Sequence, residues 1–261
     1  MKAEKTKKQK PRTLFLEEMT TVAVERVIAQ EQPLFLPIGT LEAHGRHLPV
    51  GTDTLCAKGV ALELARRFGG VVAPPVSYGL TNLLAQTAPA SFFPDDLFRS
   101  FVEATVKSFV RHGFKKIIIV NGHGGNRNAL MNLARGIVRE HSMGLCVIHW
   151  WALAEPFAKI VYGGAGGHAA VEETAAMIVF HPELVDSSLY APEHDDFAPD
   201  DGIWCYPPPG EVLLYGNDPK GRPDFNPVAA KRFMGLVLDN LQQRMERWLK
   251  GLKRFKEGLR S

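Results

Sequence analysis

Residues 36–53 read LPIGTLEAHGRHLPVGTD and gather Glu42, His44, His47 and Asp53 directly after an apolar run. Carboxylates and imidazoles are the oxygen and nitrogen donors that Zn²⁺, Mn²⁺ and Fe²⁺ accept. The stretch holds no cysteine, which argues against a closed thiolate zinc site and for an open, catalytic one. Glu42 and His44 are two residues apart, so an extended chain projects both to one side. Asp53 stands where a helix is expected to start, placed either to cap its first turn or to bind metal. His123 lies between two glycines in the run NGHGGN, where a flexible backbone can bring an imidazole to a metal. His168 follows a glycine-rich loop at 163–167, and Glu173 lies about a turn and a half along the next helix, with Glu172 as the competing carboxylate.

These groups do chemistry together only if the fold converges them. Residues 33–38 read as a strand, 54–68 as a helix and 71–76 as a second strand. Residues 94–112 read as a helix, with Pro94 in its first turn, Asp95 and Asp96 near its positive end and Gly113 as its stop. The run KKIIIV at 115–120 is a buried strand, followed by a helix over about 126–141 and a strand over 145–149. Residues 169–180 and 228–257 read as helices, and 186–226 as mostly irregular. This alternation predicts an α/β fold whose mainly parallel sheet is covered on both faces. Ligands of such sheets bind where loops leave the carboxyl ends of strands. The Glu42/His44 segment and NGHGGN leave two such strands, and His168 follows a third apolar run.

The segment GTLEAHGRHLPVGTD is similar to the signature of the creatininase (creatinine amidohydrolase) family. NGHGGN resembles the second motif of that family, and GGHAAVEETA its third, usually seen as GHAGExETS. The resemblance runs from about residue 15 to 189. It implies a three-layer α/β/α sandwich with two divalent metal ions per subunit, and a homo-oligomer, commonly a hexamer built as a trimer of dimers. Carried over by motif, Glu42, Asp53 and His123 hold one ion; His44 and Asp53 hold the other, with Asp53 bridging. Creatininase itself has a Glu two residues after the NGH histidine; Gly125 stands there in this chain, so Glu173 becomes the candidate for the missing carboxylate. His168 matches the family's catalytic proton shuttle, and Glu173 is the second candidate catalytic group. Trp150 or Trp151 corresponds to a pocket tryptophan, and Gly124 and Gly167 are expected beside the substrate.

The implied reaction is hydrolysis of a non-peptide C–N bond, in a cyclic amide or a formamide, by hydroxide generated between the two ions. Alternatives within the family are a peptidase of peptide-cofactor maturation and a cyclic-ketone hydrolase. The chain departs from the family's motifs at Ala43, where Gln is usual, and at Val171, where Glu is usual; no Trp occurs in residues 162–167. A remoter reading is a non-catalytic, metal-containing binding protein. A dinucleotide-binding reading rests on GAGGHA at 164–169, which matches G-x-G-x-x-A before a helix, with Asp186 near the spacing of a ribose contact; it lies late in the chain and leaves the segment 42–53 unused. No GxSxG or P-loop motif is present.

Composition agrees with a globular protein of one domain, residues 13–261, preceded by a basic disordered tail at 1–12. The net charge of +3 is misleading, because residues 1–12 hold six Lys/Arg and one Glu, leaving 25 basic and 27 acidic residues elsewhere. The tail has no apolar core to serve as a secretory signal. A small-molecule amide substrate is expected; neither a membrane nor a nucleic acid is an expected partner. Three cysteines without a CxxC pair fit a reducing, cytoplasmic setting.

Overall fold

Alternation along the strands sends side chains into two separate cores. In β1 (Leu34–Ile38), Leu34, Leu36 and Ile38 enter one and Phe35 the other; in β3 (Lys116–Asn121), Ile117 and Ile119 oppose Ile118 and Val120. With β2 (Val71–Val72) and β4 (Gly144–His149) they form a four-stranded parallel sheet in the order β2-β1-β3-β4. The computed structural model describes residues 13–81, 84, 90–91, 93–140, 143–191 and 218–258. The expected tail at 1–12 lies outside them.

One face of the sheet is covered by α1 (Thr21–Ala29), α3 (Asp95–Arg111) and α4 (Arg127–Glu140), through Val27, Phe98, Val102, Val106, Leu130 and Ile137. The other is covered by α2 (Thr52–Phe68), α5 (Glu155–Tyr162), α6 (Val171–Phe180) and α7 (Pro227–Gly258). This is the expected α/β/α sandwich. Buried Phe233, Met234, Val237, Leu241 and Met245 show that α7 docks on the body of this chain. No helix among the described residues is long and apolar enough to cross a membrane.

Two expectations are corrected. The strand expected over 71–76 ends at Val72, because Pro74 and Pro75 carry no N–H for a ladder; Val76 rejoins through a single bridge to Ile38. The apolar run before His168 is the helix α5, so His168 does not leave a strand; the chain turns out of α5 through Gly163 at φ 88°. The same helix removes the strand that a dinucleotide-binding reading of residues 164–169 requires. Residues 21–29, unassigned from sequence, are helical, with Thr20 accepting the Ala23 N–H as N-cap.

Close approach of α2 to the end of β3 sets the geometry of everything that follows. A Cβ on Gly122 would lie 2.0 Å from the carbonyl oxygen of Asp53, a backbone atom that cannot swing away. Gly122→Ala should therefore destabilise the protein by about 1–3 kcal/mol, which at about 2–4 °C per kcal/mol is readable as a fall in Tm by thermal unfolding. An unchanged Tm would mean that α2 and β3 separate freely.

Candidate metal centre

Four segments deliver side chains to one buried point. Glu42 and His44 follow β1, and a backbone bond from Glu42 N to Val50 O closes that loop. Asp53 lies in the first turn of α2, His123 follows β3, and Glu173 lies in the first turn of α6. His123 Nδ1 is 3.1 Å from Glu42 Oε1 and 3.0 Å from Asp53 Oδ2. His44 Nε2 is 3.0 Å from Asp53 Oδ1 and 3.6 Å from Glu173 Oε2. Glu42, Asp53 and His123 thus offer one set of three ligand atoms, and His44, Asp53 and Glu173 a second, each set within 4.8 Å. Glu42, His44 and His168 make a third such group on the more open side.

The donor set fits divalent metal. Asp53 Oδ2 is buried and makes no hydrogen bond, although His123 Nδ1 lies 3.0 Å away. A buried carboxylate oxygen left so is costly unless a cation meets it. Each imidazole is also oriented from behind. His44 Nδ1 donates to the carbonyl of Glu42 (3.1 Å), His123 Nε2 to that of Leu80 (3.0 Å) and His168 Nε2 to that of Ala43 (2.7 Å). When neutral, each ring then turns its lone pair toward the cluster, the arrangement seen behind metal-bound histidines.

Electrostatics agree. Burial alone would lower the pKa of His44, but Asp53, Glu173 and Glu42 outweigh it and hold it up at about 10. Burial is likewise overcome at His123 by Glu42 and Asp53, and its pKa is well above the ordinary value. Asp53 resists the upward push of burial because His44 and His123 face it, and its pKa is depressed. The first turn of α2 favours that negative charge as well. Glu173 moves up to about 8, chiefly through burial, against His44 and with Asp53 and Glu42 adding to it.

The structure sorts the sequence candidates. Asp53 does not cap α2; Gly51 occupies that place with no side-chain cap. Glu173, not Glu172, faces His44. Position 125 has no room for a side chain: a Cβ there would lie 2.2 Å from Leu80 O and 2.6 Å from His123 Nε2, against the bond that orients His123. His47 stands outside both sets, with Nε2 3.0 Å from Thr174 Oγ1; burial and nearby His44 hold its pKa down at about 4. Trp150 is fully buried in the apolar core that includes Ile148, Ala154 and Ala158. Trp151 is half-buried beside His149. Gly124 and Gly167 leave open space where a side chain would be.

Sequence reasoning missed the supports. Asn121 Oδ1 accepts the His123 N–H and its Nδ2 donates to the His123 carbonyl. Asn126 donates to Gly39 O (3.1 Å) and accepts the Leu80 N–H (3.0 Å), pinning the carbonyl that holds His123. Both lie in NGHGGN, and their position flanking the histidine was the available signal.

Two outcomes follow. Asn126→Ala should keep the fold but weaken metal binding by about 10–100-fold, read by competition titration with a chelator; unchanged affinity would remove Asn126 from the support. His44 and Glu173 both bind protons more tightly folded than unfolded, so their contribution is present at low pH. It should be lost as pH rises through about 8 and then about 10. The Tm of the metal-free protein should therefore fall from pH 6 to pH 9.5; a rise would contradict these assignments.

Comparison with known proteins places this geometry. The family model of creatinine amidohydrolase, Creatininase, matches residues 17–226. Creatinine amidohydrolase of Pseudomonas putida is 27% identical over 195 residues, covering 67% of this chain and 75% of the relative. A 3-dehydro-scyllo-inosose hydrolase of Thermotoga maritima is 28% identical over 221 residues, covering 80% and 67%. A mycofactocin precursor peptide peptidase of Mycobacterium ulcerans is 29% identical over 181 residues, covering 65% and 67%. A crystal structure of creatininase superposes with a TM-score of 0.76 at 20% identity, covering 90% of this chain and 98% of that one. A manganese form superposes with a TM-score of 0.77, again at 20% identity and covering 90% and 98%. The family match spans all four segments that meet at the buried cluster, and the chain belongs to the creatininase family.

Proposed function

We propose that this chain is a metal-dependent hydrolase that cleaves a carbon–nitrogen bond other than a peptide bond, in a cyclic amide or a formamide. The observation that carries the reading is the sharing of Asp53 between two sets of ligand atoms. Glu42, Asp53 and His123 would hold one divalent ion, and His44, Asp53 and Glu173 the other, with Zn²⁺, Mn²⁺ and Fe²⁺ all suited to these donors. Such an ion pair supplies Lewis acidity, acidifying water and stabilising charge that develops on an acyl oxygen.

The remaining work falls to His168. Its side chain is 22% exposed, while those of Glu42, His44 and Asp53 are at most 4% exposed, so it is the group of the cluster best placed to meet an incoming substrate. Nε2 is committed to Ala43 O, and Nδ1 faces Glu42 Oε1 at 3.5 Å. Burial and the neighbouring His44 lower its pKa, which favours the neutral ring that a base needs. Nδ1 can take a proton beside Glu42 and return it to a departing nitrogen.

The first test is metal content of wild type and Asp53→Ala by mass spectrometry. About two equivalents, falling sharply in the variant, support the shared site; a wild type that takes up no Zn²⁺, Mn²⁺ or Fe²⁺ ends this reading. Loaded protein is then assayed on creatinine, N-formyl amines, a cyclic sugar ketone and short peptides. His168→Gln should retain metal and lose about 10²–10⁴-fold in kcat on whichever is hydrolysed.

A further inference from the structure

Glu172 has no part in either set of ligand atoms, yet it is 4% exposed and carries a carboxylate. Its oxygens receive the Gly166 N–H at 3.2 and 3.3 Å and the Gly167 N–H at 3.2 Å. Resting on the reading of His168 as the proton carrier, we propose that Glu172 is a positioning residue that fixes the loop delivering His168 to the centre.

The loop needs such a restraint. Four of the five residues at 163–167 are glycine, and Gly163 and Gly167 have φ of 88° and 103°. A free segment of this composition samples many conformations, and the imidazole after it would sample them too. The turn at 218–221 closes the loop from the opposite side: a Cβ on Gly221 would lie 2.3 Å from the carbonyl carbon and oxygen of Ala165. Immediately after His168, Ala169 is held at φ 52°, a left-handed conformation uncommon for alanine, and its N–H donates to Glu173 Oε2 at 2.7 Å. His168 therefore sits between two backbone anchors supplied by consecutive acids. The anchor after it is shared with the ligand cluster through Glu173. The anchor before it belongs to Glu172 alone, whose charged acceptor makes the stronger kind of hydrogen bond to backbone amides. A buried carboxylate with no ion pair among the described residues is otherwise hard to account for.

The test uses full-length protein loaded with Zn²⁺, as wild type, Glu172→Met and Glu172→Gln. Methionine matches the length and removes both acceptors; glutamine keeps one carbonyl oxygen. Zinc content, amide exchange at Gly166 and Gly167, and the ring-nitrogen NMR signals of His168 are recorded for each. Wild type should show slow exchange and a single Nε2–H tautomer. Glu172→Met should exchange more than about tenfold faster at both glycines, with averaged His168 signals and undiminished zinc. Glu172→Gln should restore part of the protection. Unchanged exchange and an unchanged His168 pattern in Glu172→Met overturn the proposal. If that variant does not fold, unchanged exchange in Glu172→Gln does so, because its amide N–H₂ opposes one of the two donors. Lack of zinc in wild type would count against the metal reading alone, since the exchange and tautomer data report on Glu172 separately.

Discussion

The buried Asp53 carboxylate, placed between His44 and His123, is the contact on which the rest of the centre depends. A charge so deeply buried is tolerable only with positive partners at close range. The sheet meets this demand by aligning the ends of β1 and β3, so that the loops after them bring one imidazole to each carboxylate oxygen. α2 contributes the acid from its first turn, and the side chain missing at Gly122 lets the helix come close enough. The three parallel layers are, in this sense, a way of holding two histidines against one aspartate.

The supporting shell is built from backbone carbonyls. Glu42, Ala43 and Leu80 each orient an imidazole with a main-chain oxygen. Main-chain oxygens place no demand on residue type, so this part of the design is invisible in the amino-acid pattern. Asn121 and Asn126 are the exceptions, where side-chain amides tie β1, β3 and the segment at 79–80 into one rigid edge.

Glu42, His44, Asp53 and His123 were legible as a group chiefly because the motifs that hold them resemble those of one family; taken singly, each had an ordinary structural reading. The choice between Glu172 and Glu173 was not legible. Both stand in the first turn of α6, about 100° apart, and Glu173 is the one that comes to 3.6 Å from His44. Trp150 and Trp151 were indistinguishable because both follow β4 directly; the tight turn of residues 151–153 buries Trp150 and leaves Trp151 half-buried. Paired prolines shortened the second strand, while the β-branched content of residues 21–29 and 155–162 obscured two short helices that tertiary packing stabilises.

The steric closure of position 125 has a consequence for chain connectivity. A carboxylate there would have drawn every ligand from residues 42–125. With Glu173 in its place, the same cluster reaches across to α6, on the far side of β4 and α5 in sequence. An ion held by His44, Asp53 and Glu173 would then act as a staple between the first and second halves of the polypeptide, closing a loop of more than a hundred residues, and cation loading would bear on tertiary cohesion as well as on chemistry.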